Sequence, residues 1–288
     1  MMQDSRVTYY NSKGQSFVLQ GDGLCYLDVF PLFEYSWEYE LTNSTTGMGG
    51  AAHGFARYPR TVNLELRIRG HNRQQFLDKV NALQTVTDID KLSEEPGRLY
   101  IGDQYMSCFL GVAGTVPSAP RNANFATVGI TVLAVRPFWC TDVVYTLLPA
   151  GSEEEEGDAM AKKYSFKYPY RYATGITNRK IINNHYAPCP MVLTIQGPVT
   201  APYIEIGGNV YNVSSTVLAT QRLIIDQPAR RIYLVGQTGA ETNVFNARNK
   251  QHDIFAPVPV GESNVVYTGS YAVSITLVEQ RSAPKWTD

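Results

Sequence analysis

Residues 62–84 read VNLELRIRGHNRQQFLDKVNALQ, and the spacing of their apolar side chains changes once along the stretch. From Val62 to Arg69 apolar and polar residues alternate, which is the period of a strand that buries one face. After Gly70 the apolar positions follow a helical spacing, at Phe76, Leu77, Val80 and Leu83. The stretch therefore predicts a strand followed by a helix over residues 71–84, the one convincing helix of the chain.

The rest of the first half has the pattern of strands. Residues 35–42 alternate, and we expect their large odd-numbered side chains to face a core. Residues 125–135 are dense in β-branched side chains, which favour strands. Shorter strands are predicted at residues 7–10 and 16–20, and a hairpin is predicted from residues 98–101 and 104–110 about Gly102-Asp103. The connection 42–59 is rich in Gly, Ser and Thr, and its length predicts a segment that is either mobile or ordered by a partner.

The second half consists of short strand patterns separated by turn residues. The predicted strands are residues 191–196, 203–206, 210–213, 222–226, 231–235, 264–267 and 271–278. Regular spacing without a helical stretch is typical of a β-sandwich. We therefore predict a mainly β fold: an N-terminal β-sandwich with one α-helix and a β-hairpin, followed by a C-terminal β-sandwich.

Composition shifts between the two halves and predicts a domain boundary. Four adjacent carboxylates, Glu153 to Glu156, repel one another and require solvent. The predicted layout is a first domain at residues 1–148, an acidic linker at 149–163 and a second domain at 164–288. Residues 162–172 interleave cations and aromatics; a strand with its aromatics inward is favoured over a nucleic-acid stacking surface.

The sequence offers little catalytic or ligand-binding chemistry. Basic and acidic residues number 25 and 26, which predicts no sequence-specific nucleic-acid partner and no membrane partner. The cysteines and histidines lack metal-ligand spacing, and we expect the cysteines to be small buried residues; they are Cys25, Cys108, Cys140, Cys189, His53, His71, His185 and His252. No nucleophile elbow, P-loop or dinucleotide motif is present in its structural context. For Glu38, Glu65 and Glu205, solvated strand faces are favoured over paired catalytic carboxylates. We predict a protein that is not an enzyme and that has no cofactor and no metal.

The order of several segments resembles the siphophage distal tail protein family. In the first half the matching segments are residues 73–83, Gly97-Arg98-Leu99-Tyr100 and Arg136-Pro137-Phe138-Trp139. In the second half they are residues 181–184, 188–197, 223–226, 257–264 and Pro284-Lys285-Trp286. Arg136 replaces an Asp that is common in the family, and the closing Pro-Pro-Gly-x-Asn turn and terminal Arg-Trp are loosened here.

This resemblance implies a structural role in a virion. It implies a hexameric ring hub at the distal end of a phage tail, which joins the tail tube to the tail tip or baseplate. The first domain would form the ring, and a galectin-like second domain would decorate it or hold receptor-binding parts. The expected partners are further copies of this chain, a tail tube protein, a tail-tip or tail-associated protein and a receptor-binding protein. The expected location is the virion tail tip, after assembly in the host cytoplasm.

Candidate interface residues follow from charge and loop composition. The polar connection that contains Asn43, Met48 and His53 is a candidate arm that reaches a neighbouring subunit. A group of arginines stands out in a nearly neutral chain: Arg57, Arg60, Arg67, Arg69 and Arg73. Two interpretations stay open for these arginines. In the first, some of them line the ring channel or contact an acidic neighbour. In the second, they belong to ordinary solvated strand faces. The predicted interface set is Asn43, Met48, His53, Arg57, Arg67 and Arg69.

A carbohydrate-binding module on a host cell surface is the alternative function. Galectin-like sandwiches often bind sugars by stacking on exposed aromatic residues beside polar side chains. Trp286 and the tyrosines of residues 164–172 are the candidates here. The second half does not supply the set of His, Asn, Arg, Trp and Glu residues of a galectin site, which favours the tail-hub interpretation.

Overall fold

The computed structural model describes residues 6–113, 124–149 and 177–285, and these form a mainly β protein. They divide into two compact units: one holds the residues up to Thr141 together with those from Gln280 onwards, and the other runs from Asp142 to Glu279. Most of the predicted acidic linker, the basic and aromatic residues 162–172, and Trp286 lie outside the described residues. The domain limits given by the sequence stay predictions.

The first unit is built on two antiparallel sheets that share one long strand. Its strands are β1 Val7–Tyr10, β2 Ser16–Gln20, β3 Cys25–Leu27, β4 Glu38–Asn43, β5 Gly50–Ala56, β6 Arg60–Arg69, β7 Gly97–Ile101, β8 Gln104–Ala113 and β9 Phe125–Ala134. Strand β10 Trp139–Leu147 begins in this unit, and its residues from Asp142 onwards belong to the other. Its helices are α1 Phe30–Phe33 and α2 Arg73–Ser93. One sheet has the order β2–β1–β7–β8 and the other the order β3–β6–β9–β8. The first half of β8 therefore pairs with β7 and its second half pairs with β9.

The alternation of β6 is reproduced in the structure. Val62, Leu64, Leu66 and Ile68 are buried, and the residues between them are exposed. They meet the inward side chains of β9, and α2 packs on this core through Phe76, Leu83 and Val86. The predicted strands at residues 7–10, 16–20 and 125–135 and the hairpin about Gly102-Asp103 are likewise confirmed.

The helix is longer than its predicted end at Gln84. It begins after Asn72, whose side chain accepts a hydrogen bond from the amide of Gln75, and it continues to Ser93. The extra turns bury two polar residues, Thr87 and Asp90. Of the buried positions in these turns, Val86 alone is apolar, and a hydrophobic pattern gives no sign of the buried polar positions.

A buried hydrogen bond joins the last turn of α2 to the first strand. Tyr9 donates its hydroxyl to Oδ2 of Asp90 at 2.5 Å, and Asp90 Oδ1 accepts from the amide of Ser12 at 2.7 Å. Both side chains are fully buried, and burial raises the pKa of Tyr9 far above its usual value, so the phenol stays neutral and donates. Gly97 lies against the ring, where a Cβ would come within 2.5 Å of the Tyr9 hydroxyl.

The predicted strand over residues 35–42 was expected to bury one face, and this is wrong. Strand β4 is exposed along its whole length. The connection that follows it is also not a plain loop, because residues 50–56 form β5 and pair with β4 in a two-stranded sheet. The period of two was correct, but in the described structure no core layer covers the apolar side of this hairpin.

The second unit consists of two antiparallel sheets around a separate core. Its strands are β11 Thr177–Asn183, β12 Met191–Gln196, β13 Val199–Thr200, β14 Tyr203–Ile206, β15 Asn209–Asn212, β16 Thr216–Val217, β17 Arg222–Asp226, β18 Arg231–Val235, β19 Glu241–Asn243, β20 Gly261–Tyr267 and β21 Val273–Arg281, with a short 3-10 helix at Phe245–Ala247. One sheet has the order β21–β12–β17–β18–β19 and the other β11–β20–β14–β15. The predicted pairing of residues 222–226 with 231–235 is confirmed, as is the Gly207-Gly208 turn between β14 and β15.

The four cysteines are free thiols and each is buried, as predicted. Cys108 is fully enclosed in the first core, and burial raises the pKa of its thiol to about 12. Cys189 lies in the second core, where burial raises the thiol pKa to about 11. A thiol with so high a pKa remains protonated near neutral pH and packs as a small apolar side chain.

We expect Tyr9→Phe to lower the free energy of unfolding by about 1–3 kcal/mol, since it leaves a buried Asp90 oxygen without its donor. Urea denaturation followed by circular dichroism measures the change. Tyr10→Phe is the matched control, because Tyr10 is the next residue of the same strand and is exposed. Equal stability of the two variants would contradict a stabilising role for the Tyr9–Asp90 hydrogen bond.

Candidate functional site: an exposed hairpin and a basic sheet face

Strands β4 and β5 form a regular hairpin with a defined tip. The amide of Ser44 donates to the carbonyl of Gly49 at 2.9 Å, and the amide of Gly47 donates to the carbonyl of Ser44 at 3.1 Å. Gly47 and Gly49 have φ values of 71° and 75°, a region that favours glycine. The glycine-rich composition of this segment is therefore explained by its turn.

The two faces of the hairpin differ in chemistry. Cross-strand pairing places Glu40 opposite His53, and Nε2 of His53 lies 3.8 Å from a Glu40 carboxylate oxygen and 3.4 Å from the Thr42 hydroxyl. The same pairing places Leu41 opposite Ala52 on the other face. The hairpin is thus amphipathic, with a polar side centred on His53.

The apolar face of the hairpin comprises Tyr39, Leu41, Ala52 and Phe55. The rings of Tyr39 and Phe55 pack with their centroids 5.7 Å apart. Tyr39, Leu41 and Phe55 are nevertheless 53%, 65% and 59% exposed, and Met48 at the tip is 87% exposed. A two-stranded hairpin is marginally stable by itself, and a contiguous apolar face of this kind is typical of an interaction surface.

Arg57 anchors the base of the hairpin. Its guanidinium carbon lies 5.6 Å from the ring centres of Tyr35 and Trp37 and 4.8 Å from that of Phe138. Its Nη1 donates to the carbonyl of Ser282 at 3.4 Å. Arg57, predicted as an interface residue, is half-buried here and makes contacts within its own unit.

Arg60 holds the adjoining chain at the start of β6. It donates to the carbonyls of Leu32, at 2.6 Å, and Glu34, at the end of α1. Burial lowers the pKa of its guanidinium, and the nearby Glu34 opposes that shift. Because Arg57 and Arg60 flank a connection of two residues, together they hold the segment where the hairpin joins the sheet.

A second surface lies on the outward side of the sheet formed by β3, β6 and β9. We call it the basic face, and it comprises Tyr26, Arg67, Arg69, Phe125 and Thr127. Cross-strand pairing places Arg67 between Tyr26 and Thr127, and it places Arg69 opposite Phe125. The two arginines form a ridge between two shallow depressions, which are lined by residues 20–26 on one side and 124–127 on the other.

The predicted interface residues therefore fall into two groups. Asn43, Met48 and His53 lie together on the exposed hairpin, with Arg57 at its base, whereas Arg67 and Arg69 lie on the basic face. Sequence reasoning missed Tyr39 and Leu41, because their alternation was interpreted as burial in a core. It missed Phe55 because residues 42–59 were interpreted as a connection and not as a strand. It also missed Tyr26 and Phe125, which belong to strands whose partners are distant in sequence.

The described residues hold no cluster of His, Cys, Asp or Glu that could bind a metal ion. Within the same residues, no helix is both long and apolar enough to cross a bilayer. The candidates for sugar stacking, Trp286 and residues 164–172, lie outside the described ranges. Both surfaces are suited to binding. The apolar face of the hairpin can bury apolar area against a partner, and the basic face can pair with negative charge.

We expect Arg57→Gln to lower the free energy of unfolding by about 1–2 kcal/mol, because three aromatic rings lose their partly desolvated cation. Hydrogen exchange of the β4 and β5 amides should also accelerate. Arg57→Lys is the matched control, since it keeps the charge and loses the planar group that stacks on rings. Full stability and unchanged exchange in Arg57→Gln would show that the aromatic contacts do not hold the hairpin.

Comparison with known proteins identifies solved structures that share this fold. No family model and no curated protein matches the chain. Among solved structures, the Dit protein of phage SPP1, described as a paradigm of the hub adsorption apparatus in phages that infect Gram-positive bacteria, is 12% identical; the match covers 96% of this chain and 99% of that chain with a TM-score of 0.52.

Two baseplate structures give the same result. A chain of the phage P2 baseplate in its activated conformation with Ca is 10% identical, with 97% of this chain and 99% of that chain covered and a TM-score of 0.59. A chain of the activated baseplate with Sr is 9% identical, with 97% of this chain and 99% of that chain covered and a TM-score of 0.60. The fold of this chain is therefore that of phage distal tail and baseplate hub proteins, over nearly its whole length.

Proposed function

We propose that this chain is a structural, non-enzymatic component of a bacteriophage tail, a distal tail protein whose copies form a hexameric ring hub. The observation that carries the proposal is the match to hub and baseplate chains over 96–97% of this chain and 99% of theirs. Because the matches cover nearly the whole chain, they include both compact units rather than one of them alone. The hub would join the tail tube to the tail tip or baseplate.

The exposed hairpin supplies a physical means of closing the ring. A closed ring of identical subunits needs a heterologous interface, in which one surface of each copy contacts a different surface of the next. The apolar face of the hairpin suits the donating side, since Tyr39, Leu41 and Phe55 are more than half exposed in the single chain. Burying them on a neighbour stabilises association by about 25 cal/mol for each Å² of apolar area removed from water.

The remaining partners follow from the position of a hub in a tail. One side of the ring would contact the tail tube protein, and the other would contact a tail-tip or tail-associated protein. The second unit would decorate the ring or hold a receptor-binding protein. The chain would be located at the tail tip of the virion after assembly in the host cytoplasm.

Negative-stain electron microscopy and multi-angle light scattering of the purified full chain test the proposal. Six-fold rings and a mass of six subunits are expected. A chain that stays monomeric at every concentration, or that forms another symmetry, would contradict the hexameric hub.

We expect the double variant Leu41→Ser/Phe55→Ser to fold and to lose ring formation, because the apolar face of the hairpin becomes polar. Deletion of residues 44–52 should have the same effect. Light scattering measures the loss of hexamer, and circular dichroism confirms that each variant is folded. Leu92→Ser is the matched control, since Leu92 is as exposed as Met48 but lies on α2.

Each outcome is informative about the hairpin. Intact hexamers of the double variant and of the deletion would exclude the hairpin as the ring-closing element. Loss of hexamers in Leu92→Ser as well would place the interface elsewhere on the first unit.

A further inference from the structure

The basic face has two guanidinium groups in a fixed geometry. Arg67 and Arg69 are two residues apart on β6, so their side chains leave the same face of the strand about 7 Å apart. The strand is held on both sides, by β3 through Arg67 and by β9 through both residues. The spacing of the two cations is therefore set by the sheet and not by a loop.

These two charges differ from Lys79 and Arg60 of the same unit, whose charged groups have partners within the chain. Lys79 lies 2.7 Å from a carboxylate oxygen of Asp22, and Arg60 donates to two carbonyl groups. Within the described residues, no carboxylate lies within 4.0 Å of the Arg67 or Arg69 nitrogens. The basic face thus presents positive charge that the described part of the chain does not neutralise.

Exposed aromatic rings flank both arginines. Tyr26 is 45% exposed and Phe125 is 65% exposed, and the guanidinium carbon of Arg67 lies 5.9 Å from the centre of the Tyr26 ring. Arginine beside tyrosine or phenylalanine is the composition enriched in the centres of protein interfaces. A planar guanidinium also binds a carboxylate through two parallel hydrogen bonds.

We propose that the basic face binds a protein segment that presents two carboxylates about 7 Å apart, as residues i and i+2 of an extended strand do. Each carboxylate pairs with one guanidinium, and apolar parts of the segment cover the rings of Tyr26 and Phe125. This goes beyond the hub proposal, because it concerns a different surface from the hairpin and holds whether or not the chain forms rings.

Charge further along the same face favours a protein over a nucleic acid. Glu65 is the next outward residue of β6, and the amide of Asp28 donates to the carbonyl of Glu65. A phosphodiester chain that continued along the strand would meet the Glu65 carboxylate and be repelled. A protein segment can place a neutral or basic residue there, and the chain as a whole, with 25 basic and 26 acidic residues, has no net field that attracts nucleic acid.

Fluorescence anisotropy with the full chain tests the proposal. The probe is a labelled peptide with glutamate at two positions, i and i+2, and threonine or valine elsewhere, and the matched peptide has glutamine in place of both glutamates. We expect the glutamate peptide to bind at least about tenfold more tightly and to weaken as salt is raised. Arg67→Glu/Arg69→Glu should abolish this preference, whereas Arg222→Glu, on an exposed strand position of the second unit, should leave it unchanged.

Several results would overturn the inference. Equal binding of the two peptides, no binding of either, or full binding by Arg67→Glu/Arg69→Glu would each do so, as would tighter binding of a single-stranded oligonucleotide than of the glutamate peptide. Because both side chains are exposed, circular dichroism should show both variants folded. Light scattering of Arg67→Glu/Arg69→Glu separates this inference from the hub proposal: hexamers that no longer bind the peptide support the basic face independently of ring closure.

Discussion

The antiparallel pairing of β6 with β9 is the constraint on which the first unit depends. Ten residue pairs run from Arg60 opposite Ala134 to Arg69 opposite Phe125. Because side chains alternate across a strand, this single register turns the aliphatic residues of both strands into the core. It also places Arg67, Arg69 and Phe125 together on the opposite face. A shift of one residue would exchange the two faces, so core and surface are determined together.

The hairpin of β4 and β5 shows the same alternation of side chains, but its apolar face stays exposed. Leu41 and Ala52 share one face and Glu40 and His53 the other, as in any amphipathic pair of strands. In β6 the apolar face meets β8, α2 and the opposing sheet, whereas the described structure places nothing over the apolar face of the hairpin. Arg57 fixes the base of this exposed hairpin to the first unit through its contacts with Phe138 and the carbonyl of Ser282. Such an element is suited to contact another molecule.

The limits of prediction lie at particular residues. Helix α2 was predicted over residues 71–84, but it continues to Ser93 and buries Thr87 and Asp90. Asp90 accepts its buried hydrogen bond from Tyr9, 81 residues away in sequence. The exposure of Tyr39 and Leu41 could not be predicted from their own segment, because alternation shows that a strand has two different faces but not which of them a core covers. The basic face combines Tyr26 with Phe125, residues that adjoin only through β6.

The sequence by itself determined the mainly β character, the single long helical pattern, the positions of most strands and the burial of the cysteines. These properties depend on local periodicity and on the cost of exposing apolar residues to water, and both can be read along a chain. The tertiary structure alone decided which alternating strands are covered, which polar residues are buried, and which distant side chains share a surface. Those outcomes depend on the pairing of segments far apart in sequence, and burial is a property of two packed surfaces rather than of one.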